Sequence, residues 1–244
     1  MKQLQRKVIN AVAPIRICDI GGWTDTWFAG FGNIFNIAVY PYVEVQVFIT
    51  ERKEEKRVHI SLENYQDRYS VDPDKISYDK YPLIDAAVDA MDIPEDMAFT
   101  VNIFSTVPPG ASTGTSAAVS VALIGALDTL TPGRRTAHEI AALAHSVESE
   151  KLGLQSGIQD QLGSAYGGIS YIEMNRFPKA SVSQIHVPNS IWWELENRLA
   201  LVYIGSPHTS SDVHKQVIAD LENNPRAYRT EDDPRLQELR RLAV

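Results

Sequence analysis

Apolar and polar residues alternate along the first third of the chain, over Val8–Ile20, again over 34–50, and over 57–62 beyond a charged turn. A period of two buries one face of an extended segment, so these runs predict three β-strands. Over 81–91 the spacing changes, with Leu83, Ala86, Ala87 and Ala90 recurring at helical intervals. Alternation returns over 98–104 and stops at Pro108 and Pro109, which cannot donate to a sheet ladder.

Over 116–130 the apolar residues Val119, Val121, Leu123, Ile124 and Leu127 point in every direction around a helix, which predicts a helix buried on all sides. Thr131-Pro132-Gly133 ends it. Thr136 and Glu139 then form a capping-box pair, and Ile140, Leu143, Ala144 and Val147 mark the buried stripe of a second helix closing near Gly153. Further strands are expected over 168–174 and 198–205, and helices over 211–222 and from Pro234 onward. Mixed strands and helices without regular βαβ alternation, and without an internal repeat, indicate an α+β fold.

Composition narrows the function classes. The net charge of −8 argues against nucleic acid as a partner, because neutralising phosphates needs clustered Lys and Arg. The basic cluster at Lys53, Lys56 and Arg57 is interrupted by Glu51, Glu54 and Glu55 and reads as a solvated hairpin tip. Cys18 is the only cysteine, so a disulfide within the chain and a thiolate metal cluster are both excluded, and a reducing, cytoplasmic setting is expected. No uncharged stretch reaches the roughly 18 residues of a membrane span. The expected partners are small molecules.

The stretch that carries most chemistry runs Val107-Pro108-Pro109-Gly110-Ala111-Ser112-Thr113-Gly114-Thr115-Ser116-Ala117-Ala118. Two glycines let backbone approach a ligand, and the loop opens onto a helix N-terminus, where free N–H groups and the dipole favour an anion. No Lys follows the second glycine, so this is not a Walker A loop, and the glycine spacing is not that of the dinucleotide fingerprint. A Ser/Thr-rich turn capping a buried helix would look the same from the loop alone.

This stretch resembles the second motif of the GHMP small-molecule kinases, Pro-x-x-x-Gly-Leu-Gly-Ser-Ser-Ala-Ala, with Ser112, Thr113 and Thr115 departing from the commonest residues. Two more segments match in the same order. Ala13-Pro14-Ile15-Arg16, followed by Gly21-Gly22-Trp23-Thr24-Asp25, is similar to the family's first motif in the heptose-phosphate and fucose kinase branch. Gly157-Ile158-Gln159-Asp160-Gln161, followed by Tyr166-Gly167-Gly168, is similar to the stretch bearing the catalytic Asp in galactokinase-like and heptose-kinase-like members.

The resemblance implies a two-lobed α+β fold with a ribosomal protein S5 domain 2-like N-terminal lobe. It implies an ATP-dependent sugar kinase acting on a hexose or heptose derivative. Pro109, Gly110, Ala111, Ser112, Thr113, Gly114, Thr115 and Ser116 would wrap the triphosphate of ATP, and Ser116 would help to bind Mg2+. Asp160 would be the base and Arg16 its basic partner. Gly22, Trp23, Thr24 and Asp25 would face the sugar. A metal-binding Glu is expected about three helical turns before the Asp. Helical phase does not choose between Glu148 and Glu150, which flank the apolar stripe on opposite sides, and the family's spacing selects Glu148.

His138-Glu139 is followed by Ala142 where a zincin needs its second His, so no zinc site is indicated. Trp23, Trp27 and Phe28 suit either an aromatic wall for a sugar or ordinary core packing. Residues 1–195 are expected to form the N-terminal lobe and 196–244 to begin a C-terminal lobe that is incomplete. Nothing after Gly205 resembles the family's third, Gly-rich motif, which favours as an alternative a noncatalytic sensor of a sugar or nucleotide on the same fold.

Overall fold

A computed structural model describes residues 8–52, 56–108, 110–130 and 134–203, together with 215, 218 and 219. Seven strands form one mixed sheet: β1 (Val8–Ile20), β2 (Gly32–Glu51), β3 (Val58–Leu62), β4 (Asp67–Val71), β5 (Met97–Ser105), β6 (Ile169–Arg176) and β7 (Lys179–Ile185). Five helices accompany them: α1 (Pro82–Asp89), α2 (Thr115–Asp128), α3 (Ala137–Ser146), α4 (Gln159–Tyr166) and α5 (Asn189–Arg198). The architecture is α+β, as the unsegregated pattern indicates.

The strand order is β4-β3-β5-β2-β6-β7, with β1 antiparallel to β2. At 20 residues β2 is long enough to serve two partners, β6 along Gly32–Ile37 and β5 along Val43–Glu51. β3 runs parallel to β5, while the other pairings are antiparallel.

Period-two patterning puts Val43, Val45, Val47, Val58, Ile60, Leu62, Val101 and Ile103 on one sheet face, where they form a core with α1, α2 and α3. α2 lies deepest. Leu123, Ile124 and Leu127 are fully buried, in keeping with a helix apolar all round, and truncating any one to Ala would cost about 2–5 kcal/mol. A second core gathers Ile34, Ala141, Ile158, Leu162, Ile172 and Met174, and it seats α4 beside β2 and β6.

The Thr136 hydroxyl and Glu139 carboxylate form the expected capping box at the start of α3. That helix continues into a π-helical turn, Val147–Lys151, whose wider winding carries Glu148 inward. The expected strand over 198–205 is not formed in its described part: α5 ends at Arg198, and 199–203 carry no regular element. Leu199, Leu201, Val202 and Tyr203 are exposed, and among the described residues no sheet edge pairs with them, so β-favouring side chains alone do not make a strand. The hairpin-tip residues Lys53, Glu54 and Glu55 and the turn 131–133 lie outside the described residues. So do the helix expected from Pro234 and, apart from Lys215, Ile218 and Ala219, the one over 211–222.

Candidate active site

The glycine-rich loop enters α2 through three left-handed residues, Gly110 (φ 74°), Ser112 (φ 57°) and Gly114 (φ 70°). Alternating the handedness of successive residues turns neighbouring peptide N–H groups to one side, forming a concavity for an anion. Arg16 fixes which side. Its guanidinium Nη1 donates to the Ser112 carbonyl at 2.7 Å, and its backbone N–H donates to the Thr113 carbonyl at 3.0 Å. In a trans peptide the N–H opposes the C=O, so the Thr113 and Gly114 N–H groups point away from Arg16. Gly114 supplies no side-chain cap, leaving the first-turn N–H groups of α2 without one. Pro109 lies outside the described residues; Gly110, Ala111, Ser112, Thr113, Gly114, Thr115 and Ser116 form the loop and the helix entry.

Arg16 also reaches Asp160. Nε donates to Oδ1 at 2.7 Å and Nη2 lies 2.5 Å from the same oxygen, with the side chains 13% and 27% exposed. Burial works against the Arg16 charge, but the Asp160 carboxylate outweighs it and holds the guanidinium pKa above its ordinary value. Asp160 occupies the first turn of α4, where the helix dipole favours a carboxylate. The loop lies directly against it: a Cβ added at Gly114 would come within 3.2 Å of the Asp160 carboxyl. One arginine thus joins the anion-cradling loop to a carboxylate left partly open to solvent.

Asp25 is held differently. It is 1% exposed, and Gln159 donates to both of its oxygens, from the backbone N–H at 2.9 Å and from Nε2 at 3.2 Å. The N-cap residue of α4, Ile158, has no capping side chain, so Asp25 serves as the cap from a distant turn. The fit is close, since a Cβ at Gly157 would sit 2.0 Å from Asp25 Oδ2. Burial pushes the Asp25 pKa up to about 6, aided by the Asp160 charge and opposed by the Gln159 N–H and by Arg16.

Glu148 is 6% exposed, whereas Glu150 on the same turn is exposed. Glu148 Oε2 accepts from Ser156 Oγ at 2.7 Å and from Gln161 Nε2 at 3.1 Å, while Oε1 is buried without a hydrogen-bond partner. Burial pushes its pKa up to about 7, the Asp160 charge adds to that, and hydrogen-bonding interactions from Ser156, Ser116 and Gln161 oppose it. The Glu148 carboxylate, with which the Ser116 hydroxyl interacts, supplies oxygen donors suited to a hard cation such as Mg2+, which commonly takes one or two carboxylates together with substrate phosphates. Among the described residues there is no cluster of three or more His, Cys, Asp or Glu side chains that could hold a metal by itself.

The turn carrying Gly22, Trp23, Thr24 and Asp25 is built mostly from its own contacts. Thr24 Oγ1 donates to the Gly21 carbonyl at 2.7 Å, and Thr26 Oγ1 to the Trp23 carbonyl at 2.6 Å. Trp23 and Trp27 pack on Phe28 with ring centroids 6.2 and 5.5 Å apart, and Trp27 continues to Phe177, which meets the buried His145 ring at 5.4 Å. Burial holds the His145 pKa below its ordinary value, and its Nε2 lies 3.1 Å from the Ser156 carbonyl, which steadies the residue that contacts Glu148. Sequence motifs do not single out Gln159, Gln161, Ser156 or His145. The Gln-Asp-Gln flanks of Asp160 are the available signal, because buried amides need partners and those partners are the neighbouring carboxylates.

Residues 82–168 match the family described as GHMP kinases N terminal domain. Over 119 residues it is 29% identical to the D-glycero-alpha-D-manno-heptose 7-phosphate kinase of Campylobacter jejuni, a match spanning 49% of this chain and 35% of that protein. Over 143 residues it is 34% identical to the mevalonate kinase of Thermococcus sibiricus, spanning 59% of this chain and 38% of that protein. The matched segments thus cover only about a third of these relatives' own length. Among solved structures, the D-glycero-D-manno-heptose 1-phosphate kinase from Bacteriodes thetaiotaomicron superposes with a TM-score of 0.65 at 26% identity, over 78% of this chain and 63% of that one. No helix among the described residues is long and apolar enough to cross a membrane.

Proposed function

We propose that the chain forms the catalytic N-terminal part of an ATP-dependent sugar kinase that moves a γ-phosphate onto a hydroxyl of a hexose or heptose derivative. On this reading 1–195 is its N-terminal lobe; the second lobe expected to begin over 196–244 lies, beyond 203, almost wholly outside the described residues. The observation that carries this reading is the reach of Arg16, which contacts the Ser112 carbonyl and the Asp160 carboxylate at once. It sets the base beside the loop that would hold the transferring phosphate. The heptose kinases among the relatives support a sugar acceptor, and the mevalonate kinases make mevalonate the comparison substrate.

In this reading the N–H groups of the loop and of the first turn of α2 hold the triphosphate. Asp160 takes the proton from the attacking hydroxyl, and Arg16 holds that carboxylate in place and offsets charge gathering on the phosphoryl oxygens. Ser116 and Glu148 would hold Mg2+, whose contribution when bound is to neutralise charge on the phosphates. The turn of Gly22, Trp23, Thr24 and Asp25 is assigned to the acceptor side, with the Asp25 carboxylate buried behind it on Gln159. Asp25 acts there chiefly by fixing the start of α4 and hence the position of Asp160. Phosphoryl transfer of this kind depends on positioning more than on covalent chemistry, so buried contacts such as Gln159 to Asp25 bear directly on rate.

The test is ADP release by the purified protein with Mg-ATP against free and phosphorylated hexoses and heptoses, fucose, arabinose and mevalonate. Turnover with one sugar and none with mevalonate is expected. Turnover with mevalonate alone would overturn the sugar assignment. Saturable binding of ATP or a sugar without any transfer would replace the kinase by a noncatalytic sensor.

A further inference from the structure

Among the described residues helices cover one face of the sheet around β3, and the other face carries two polar cross-strand rows. Register places Ser70, His59 and Thr100 side by side on β4, β3 and β5, and in the next outward-facing row Arg68, Ser61 and Asn102. Residues two apart in a strand face the same side, so all six side chains share the surface opposite the helix-packed core of Val58, Ile60, Leu62, Val101 and Ile103. They line an open depression of about 460 Å³, within the roughly 300–1,000 Å³ usual for small-molecule sites.

Its chemistry has one sign. Among the described residues no carboxylate lines the depression, in a chain with a net charge of −8. Among the described residues the Arg68 guanidinium has no ion-pair or hydrogen-bond partner; its backbone pairs with Ser61 across the strands and its N–H donates to Asp67 Oδ1. His59 is fixed by Ser70, whose Oγ lies 2.7 Å from Nδ1. This contact leaves Nε2 of the ring unengaged by Ser70, and in the tautomer where Ser70 donates to Nδ1 it is an N–H donor. Hydroxyls from Ser61 and Thr100 and the Asn102 amide complete the set.

From this arrangement we infer a second binding site, on the open face of the sheet, for the phosphate group of a small phosphorylated metabolite. A guanidinium fork with an imidazole N–H and hydroxyls spread over three strands suits an anion with three outward oxygens, and a planar carboxylate would leave donors unused. The remaining volume and the Asn102 and Ser61 side chains suit a short polyol attached to that phosphate. The depression lies across the sheet from the Gly110–Ser116 loop, so occupancy here is separate from the nucleotide and acceptor sites proposed above.

Glycerol phosphate and inorganic phosphate, titrated into the full chain at constant ionic strength and followed by NMR of the His59 ring and of the backbone amides, test the site. The expected result is a saturable shift of the His59 signals with glycerol phosphate that weakens at least tenfold in Arg68→Gln, an exposed substitution that leaves the fold intact. Ser70→Ala should weaken it too, by releasing the ring. Shifts confined to the Gly110–Ser116 amides, shifts reproduced by chloride, or a glycerol phosphate affinity unchanged in Arg68→Gln would each overturn the inference, and none of them would touch the kinase reading.

Discussion

Gln159 clasps Asp25 with both of its nitrogens, the backbone N–H on one carboxylate oxygen and the side-chain amide on the other, so a turn near the N-terminus caps the helix that carries Asp160. The two residues stand 134 positions apart in sequence. A buried carboxylate that caps a helix in this way links the stability of the fold to the geometry of the site.

Asp25→Ala leaves the Gln159 N–H buried without an acceptor and should destabilise the protein by about 1–3 kcal/mol. It should lower kcat more than it changes the KM for ATP, because Asp160 moves while the loop stays. Gly157→Ala should act in the same direction, since the new Cβ has no room beside Asp25 Oδ2. Denaturant melts together with steady-state kinetics of both variants check this.

The pH dependence follows from the raised pKa of Asp25. Its folded value of about 6 lies above its ordinary 3.8, so between the two the folded state holds a proton that the unfolded chain has already released. That stabilisation is complete below about pH 4 and is lost as pH rises through about 6, with a slope of at most about 1.4 kcal/mol per pH unit across that window. Without nucleotide or metal, the Tm of the wild type should fall from pH 4 to pH 7 more steeply than that of Asp25→Asn, as thermal unfolding at stepped pH would record.

Gly114→Ala meets two obstacles, a left-handed backbone and the Asp160 carboxyl 3.2 Å from the new methyl group. Strain alone costs about 1–2 kcal/mol. The loop should shift, and calorimetric ATP affinity should drop at least tenfold, whereas Gly153→Ala, with the same backbone hand but open space around it, should lose stability and retain affinity.

Glu148 should set the magnesium requirement. Glu148→Gln keeps the Ser156 and Gln161 neighbours but removes the negative charge, and the Mg2+ concentration for half-maximal turnover should rise by about tenfold or more. Because the Glu148 pKa stands near 7 when no metal is bound, Mg2+ affinity in the wild type should rise as pH increases through about 7, with proton release on binding. Calorimetry in buffers of different ionisation enthalpy reads that proton directly.

Much of the fold is legible in the sequence because its elements are simply patterned. Val8–Ile20 alternates, 116–130 is apolar on every side, and Thr136 with Glu139 announces the start of α3. α4 is not legible as a helix. Its Gln159, Asp160, Gln161 and Ser164 are polar in a largely buried element, and their partners, Asp25, Arg16, Glu148 and the Pro14 carbonyl, come from distant segments. α5 is equally hidden, since none of its residues is buried and no apolar stripe marks it. At the site, motif spacing names Arg16, Asp160 and the loop. The inward turn of Asp25 depends on tertiary contacts, and although the family's spacing selects Glu148, helical phase does not separate it from Glu150, because a π-helical turn that no periodicity reveals carries Glu148 inward.

In the proposed reaction Asp160, held by Arg16 against the loop, is the base for phosphoryl transfer. Turnover and ATP affinity of Asp160→Asn, measured beside the wild type on the sugar that the protein phosphorylates, test it most directly. The expected result is a kcat lower by about 10²–10⁴-fold with ATP affinity little changed. Turnover that survives the substitution, or that falls only in step with lost ATP affinity, would contradict it.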